Sequence, residues 1–209
     1  LHIHSIRRGP DAGQGWATWI DRDALSHYPE AMTELALPAG SLQSALAAFS
    51  EGADAVYLGM KSFSARKMAA NFSFEDLAKL RQVSLSQNKK IYVTVNTLVD
   101  DSQLGEVVST LKQLAFIGCD GIIVQDLGLV EIIRTQFPTL ALHASTQLAV
   151  HTIEGVRELV RLGFERVVLA RELTFEEIKN IRQACPDVQL KVFIHGALCY
   201  SFSGLCMAS

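Results

Sequence analysis

Short apolar runs alternate with amphipathic stretches from residue 32 onward, and this alternation predicts an α/β fold on a parallel sheet. Three observations carry the expectation. Seven apolar runs recur, with helical spacing between them. Several of these runs are apolar at consecutive positions, as in parallel strands covered on both faces. A unit also repeats: "GADAVYLG" at 52–59, "GCDGIIVQD" at 118–126 and "GFERVVLAR" at 163–171 each read glycine, one residue, an acid, one residue, strand. The glycine suits the left-handed residue that ends a helix. A complete (β/α)8 barrel takes about 250 residues. The chain from Met32 is shorter and shows no eighth unit, so the expected architecture is a TIM-barrel-like (β/α) barrel truncated after its seventh strand. An open doubly wound sheet is the rival, but "LPAGS" after the first strand lacks the phosphate-binding GxGxxG pattern.

Taken in order, residues 1–31 have no sustained period and read as a leader or non-native extension, poorly ordered. Trp16, Trp19 and Ile20 would support a packed capping segment instead. Residues 32–209 form the barrel domain, C-terminally incomplete. Its strands are expected at "ELALPA" (34–39), "AVYLG" (55–59), "KIYVTVN" (90–96), "GIIVQD" (121–126), "LALHAST" (140–146), "RVVLARE" (166–172) and "QLKVFIHGA" (189–197). Six helices lie between them. The helix over 73–88 opens on the N-cap Ser73, with Asp76 at its third position. The helix over 102–118 lines up Leu104, Val107, Val108, Leu111, Leu114 and Ala115 on one face. The helix over 174–185 starts with Thr174, and Glu177 completes a capping box.

With 209 residues the chain can bury a full core, and 49% hydrophobic with 20% charged residues fits a globular class. No apolar run reaches the roughly 18 residues of a membrane-spanning helix. No secretory signal is visible, which makes a cytoplasmic location the expectation. A net charge of −3 gives no global basic footprint for nucleic acid, so any RNA contact has to be local or lie outside this chain. Four unevenly spaced cysteines do not make a secreted disulfide framework.

In a barrel, chemistry collects where strands end. The polar residues at those ends are Asn96, Gln125, Asp126, Ser145, Thr146, Gln147, Arg171, Glu172 and His195. Asp126 and Thr146 would also serve simply to start the next helices. His195, Glu172 and His143 are the candidate catalytic groups. Asn96, Gln125, Ser145, Gln147 and Arg171 are the candidate substrate-binding groups. Arg171 is the best of these for a carboxylate, because its planar fork matches one. His143 and Ser145 share a strand face, but neither a GxSxG elbow nor an HExxH helix occurs. Lys191, also on that parity, sits early in its strand and reads as structural. Cys119 and Cys185 read as small buried hydrophobes. Cys199 and Cys206 differ: small residues lie between them, and two thiols are half the set that an iron–sulfur cluster usually takes.

The terminal "VFIHGALCYSFSGLCMAS" resembles the signature of the peptidase U32 family, through Gly196, Ala197, Leu198, Cys199, Gly204, Cys206 and Ser209. "LPAGS", "GADAVYLG", "VNT", "HASTQ" and "LARELTFEEI" extend the resemblance from about Met32 to the last residue. Lys191 departs from it where the signature has glutamate, and Ala208 where it has a larger aliphatic. The resemblance implies hydroxylation of RNA bases, tRNA uridine or 23S rRNA cytidine, with prephenate as a possible carboxylate co-substrate. It implies RNA as partner, and a partner protein is open. It further implies a [4Fe-4S] cluster with Cys199 and Cys206 as two ligands and two more beyond residue 209. The family name keeps a collagenase-like peptidase as an alternative, and a non-catalytic cluster- or RNA-binding module is a third.

Overall fold

The computed structural model describes residues 33–65, 71–196 and 201–205. The leader assigned to residues 1–31 lies outside the described residues, and so do Cys199 and Cys206. The elements are β1 (Ala36–Ala39), α1 (Leu42–Ser50), β2 (Ala55–Gly59), α2 (Phe74–Ser86), β3 (Lys90–Val95), α3 (Leu104–Ile117) and β4 (Gly121–Val124). They continue with α4 (Gly128–Gln136), β5 (Ala141–Ala144), α5 (Ile153–Leu162), β6 (Arg166–Val168), α6 (Phe175–Ala184) and β7 (Gln189–Lys191). The strands form one sheet in chain order, with every neighbouring pair parallel. It is a curled half-barrel, matching the truncated barrel expected from sequence.

Local chemistry explains where the elements start and stop. Ser73 accepts from the Asp76 N–H at 3.1 Å, and Thr174 and Glu177 cap each other's backbone at the head of α6. Gly118 and Gly163 end α3 and α5 with φ of +83° and +102°, where a side chain would clash with its own backbone. The acid of the repeated unit has a task that periodicity does not show. Asp54 accepts the Leu35 N–H at 2.9 Å, and Asp120 accepts the Ile91 N–H at 2.9 Å. Each satisfies a backbone donor where a neighbouring strand begins. β7 ends at Lys191, short of the expected 189–197. It pairs only with β6, and an edge strand without a second neighbour has fewer bonds to hold it extended.

Alternation along the strands separates two interiors. Outward-facing Leu58, Ile91, Ile122 and Leu169 pack against helix residues such as Leu80, Leu111, Leu114 and Ile133 in the main core. A smaller cluster of Ala55, Tyr92 and Ile123, joined by Ala36 and Tyr57, occupies the concave side. Charged and polar side chains share that side. Arg166 of β6 reaches Glu34, just ahead of β1, with Nη1 to Oε1 at 2.6 Å. Its Nε–H also donates to Gln189 Oε1 at 2.8 Å, and its guanidinium stacks 4.7 Å from the centre of the Tyr92 ring. The Tyr92 hydroxyl donates to Glu34 Oε2 at 2.7 Å. Burial pushes the Glu34 carboxyl up, but the bonds from Arg166 and Tyr92 outweigh it and hold the group below its ordinary value.

The pair therefore links β6 to the head of β1 across 132 residues of sequence. Arg166→Ala leaves Glu34 half-buried with its strongest partner gone and is expected to destabilise the protein by about 3–5 kcal/mol. Glu34→Leu combined with Arg166→Met should recover most of that loss. Urea unfolding of wild type, Arg166→Met, Glu34→Leu and their double variant in a double-mutant cycle checks this, and additive losses would show that the two side chains do not act as a pair.

Candidate functional site

Two loops at the C-terminal ends of the strands build the best-defined site. After β5, the Ser145 N–H donates to Val124 O at 2.8 Å, and its hydroxyl accepts the Gln147 N–H at 3.2 Å. This starts a tight turn over Thr146–Leu148, ending at Ala149 with φ of +52°. His151 follows, and its Nδ1 lies 2.7 Å from Ala149 O. A carbonyl only accepts, so Nδ1 carries the hydrogen. After β6, the Ala170 N–H donates to Val150 O at 3.1 Å, which sets Arg171 and Glu172 beside the first loop.

Residues 201–205 dock onto this pair of loops. Arg171 donates to the Ser203 hydroxyl from its backbone N–H at 3.1 Å and from Nε at 3.3 Å, and from Nη2 to Ser201 O at 2.8 Å. Glu172 Oε1 accepts the Ser203 N–H at 2.7 Å, and Oε2 stands 3.4 Å from His151 Nε2. Ser203 is 2% exposed, while Phe202 and Leu205 beside it are largely in solvent. Gly204 has φ of +79°, and a Cβ there would lie 2.5 Å from Gln147 O. Only glycine fits so close to the turn. Burial pushes the Glu172 carboxyl up, but the bonds from Ser203, assisted by the His151 ring, hold it below its ordinary value.

Of the residues expected from sequence, Arg171 and Glu172 bond residues 201–203, Gln147 approaches Gly204 through its backbone carbonyl, and Ser145 opens the turn that carries Gln147. Asn96 and Gln125 follow β3 and β4 on the same rim, but no hydrogen bond joins them to that group. Asn96 Oδ1 accepts the Ala65 N–H at 3.1 Å and shapes its own loop. Asp126 holds the Val99 N–H at 2.9 Å and the Gly128 N–H at 2.8 Å, as expected of a residue that starts a helix. Gln125 is half-buried and His195 exposed, and neither makes a side-chain hydrogen bond among the described residues. The Thr146 hydroxyl is buried and has no hydrogen-bond partner among the described residues.

His143 stands apart, inside the half-barrel. It is 3% exposed, with its ring edge-on to Tyr92 at 4.7 Å. Burial, together with the charges of Arg166 and Lys191, pushes its pKa down to about 3. Gly121 gives the ring room: a Cβ there would sit 3.1 Å from Nε2. No hydrogen bond links His143 to Ser145, two residues on. Lys191 faces the same interior, with Nζ 4.1 Å above the Tyr57 ring, and burial with Arg166 nearby lowers it to about 8. Cys119 and Cys185 are buried, and burial raises the Cys119 thiol to about 12, so neither is a ready ligand. Among the described residues no three His, Cys, Asp or Glu side chains gather to hold a metal. The two cysteines expected from sequence to bind a cluster, Cys199 and Cys206, lie outside the described residues.

Sequence reasoning missed His151. It lies between Val150 and the helix cap Thr152, and nothing in the local pattern marks it; only the approach of Glu172 gives it a partner.

A family model described as Peptidase family U32 matches residues 40–209. The 23S rRNA 5-hydroxycytidine C2501 synthase of Escherichia coli is 42% identical over 84% of this chain and 26% of its own length. The tRNA hydroxylation protein P of the same organism is 38% identical over 84% of this chain and 39% of its own. The chain thus spans well under half the length of these relatives. The solved U32 peptidase Mk0906 superposes with a TM-score of 0.62 at 20% identity, over 77% of this chain and 68% of that one, and shows a common fold. No helix among the described residues is long and apolar enough to cross a membrane.

Two outcomes follow. His143 is neutral in the folded chain but takes a proton near 6.5 once unfolded, so its contribution to stability is complete above 6.5 and falls as pH drops toward 3. The loss is about 1.4 kcal/mol per pH unit in that window. Urea unfolding at pH 7, 6 and 5 should show a shallower fall for His143→Gln than for wild type. Gly204→Ala should expel the docked segment, seen as faster proteolytic cleavage within 201–205; an unchanged rate would show that the turn yields instead.

Proposed function

The chain belongs to peptidase family U32, and we propose that it serves the hydroxylation of a pyrimidine base in RNA, tRNA uridine or 23S rRNA cytidine. The observation that carries this reading is the match, at 42% and 38% identity over 84% of the chain, to proteins named for those two reactions. Because the chain spans 26% and 39% of them, the reaction belongs to the whole protein, to which this half-barrel contributes a rim.

In this reading Cys199 and Cys206 are two of the thiolates that would hold a [4Fe-4S] cluster. Such a cluster would supply electron transfer next to the substrate. The chain's own residues orient and exclude. Gln125 and His195, uncommitted within the described residues, are proposed to face the substrate, and the Thr146 hydroxyl offers a further polar contact. A small carboxylate such as prephenate is the proposed co-substrate.

The peptidase alternative gains no support from the site. The one serine and histidine that share a strand face, Ser145 and His143, are not hydrogen-bonded to each other, and the histidine is buried and held neutral.

Nucleoside mass spectrometry of tRNA and 23S rRNA from a strain lacking the gene tests the proposal. One 5-hydroxypyrimidine should vanish and return when the intact gene is restored. An unchanged nucleoside profile would overturn the reading.

A further inference from the structure

Phe202 stands open to solvent on a backbone that is pinned on both sides. The residue is 63% exposed. Before it, Ser201 O accepts from Arg171 Nη2 at 2.8 Å; after it, the Ser203 N–H donates to Glu172 Oε1 at 2.7 Å. Its own carbonyl accepts the Leu205 N–H at 3.1 Å, which closes a turn, and Gly204 lets that turn lie against Gln147 O. Charged hydrogen bonds of this kind restrain a backbone tightly. An exposed apolar side chain by itself needs no explanation. Phe116, 93% exposed, is such a case: it lies near the end of α3, beside the start of β4 and away from the rim. Phe202 differs in being both at the rim and rigidly supported there.

Its support rests on the loops after β5 and β6. Gln125 follows β4 and His195 follows β7, so the strand order places the docked turn between these two uncommitted polar residues. A protein that acts on the edge of a pyrimidine must take the base out of its stack, and the stacking lost in that step opposes binding. An aromatic face at the site restores part of it, and a face whose backbone is already fixed loses little freedom when the base arrives. The net charge of −3 requires any RNA contact of this chain to be local. A stacked base is a contact of that kind and needs no broad basic surface. We infer that Phe202 is the stacking platform for the unpaired pyrimidine base that the protein acts on, and that Arg171 and Glu172 are the positioning residues that hold it at the rim. This deepens the proposed function and rests on its RNA part alone.

The test uses the intact protein and a labelled single-stranded RNA of uridines and cytidines, with affinity read by fluorescence anisotropy. Phe202→Ala should weaken binding by roughly 10- to 100-fold, the weight of one base stacked on an aromatic ring. Phe202→Leu keeps the apolar bulk without the flat face and should lose as much. Phe202→Tyr keeps the face and should bind like wild type. Leu205→Ala removes a similarly exposed apolar side chain from the same turn and should leave affinity unchanged. Phe202 and Leu205 lie largely outside the core, so all four variants should melt at the wild-type temperature. Wild-type affinity in Phe202→Ala would overturn the inference. So would equal affinity of Phe202→Leu and Phe202→Tyr, which would mark Phe202 as a plain apolar contact of the kind a protein partner makes. A wild-type protein without affinity for this RNA would overturn it as well. The RNA reading is judged apart, by nucleosides: if the deletion strain loses its 5-hydroxypyrimidine and a Phe202→Ala strain keeps the full level, the RNA reading stands and the platform falls.

Discussion

The ion pair between Arg166 and Glu34 occupies the concave side of a sheet whose end strands, β1 and β7, do not pair with each other. A closed barrel holds its curvature through a continuous ring of backbone bonds. Here the contact across the hollow is made by side chains. Arg166 is 9% exposed and Glu34 19%, so the charges are well removed from water, and the pair is tolerable only because Gln189 and Tyr92 complete its hydrogen bonds. The loops after β5 and β6 stand at the opposite ends of these strands, at the rim where residues 201–205 dock.

The same strand illustrates how sharply the environment changes along this axis. His143 and Ser145 point to the same side of β5. The first is enclosed by Tyr92 and held neutral by burial beside cations, while the second opens the turn that receives Gly204. The interior of the half-barrel is a stability element, and the rim is where uncommitted polar groups stand. Lys191, above Tyr57 and close to Arg166, belongs with the interior.

The docked segment shows how a short polar sequence becomes rigid without a core of its own. Phe202 and Leu205 contribute little burial. Order comes instead from Ser203 accepting from Arg171 while its own N–H is taken by Glu172. Arg171 and Glu172 lie some thirty residues before Ser203 in the chain, so the bracket forms with the tertiary structure rather than before it.

Much of the architecture was legible in the residues. Consecutive apolar positions marked strands covered on both faces, and Gly118 and Gly163 marked helix ends, because these are local requirements that one side chain or its absence satisfies. Ser73 and Thr174 announced their helices for the same reason. The polar residues at the strand ends were likewise visible, and Arg171 and Glu172 bond Ser203 beside the turn that Ser145 opens. What the sequence by itself determined was the order of elements and the residues available at the rim. What only the tertiary structure decided was which of them are committed. Glu34 and Arg166 are separated by most of the chain, and no local period pairs them. Arg171 reads as a free fork until Ser201 and Ser203 arrive, and His151 has no signal until Glu172 stands beside it. Partnership of this kind depends on where the sheet's curl carries each loop, and that is a property of the folded whole.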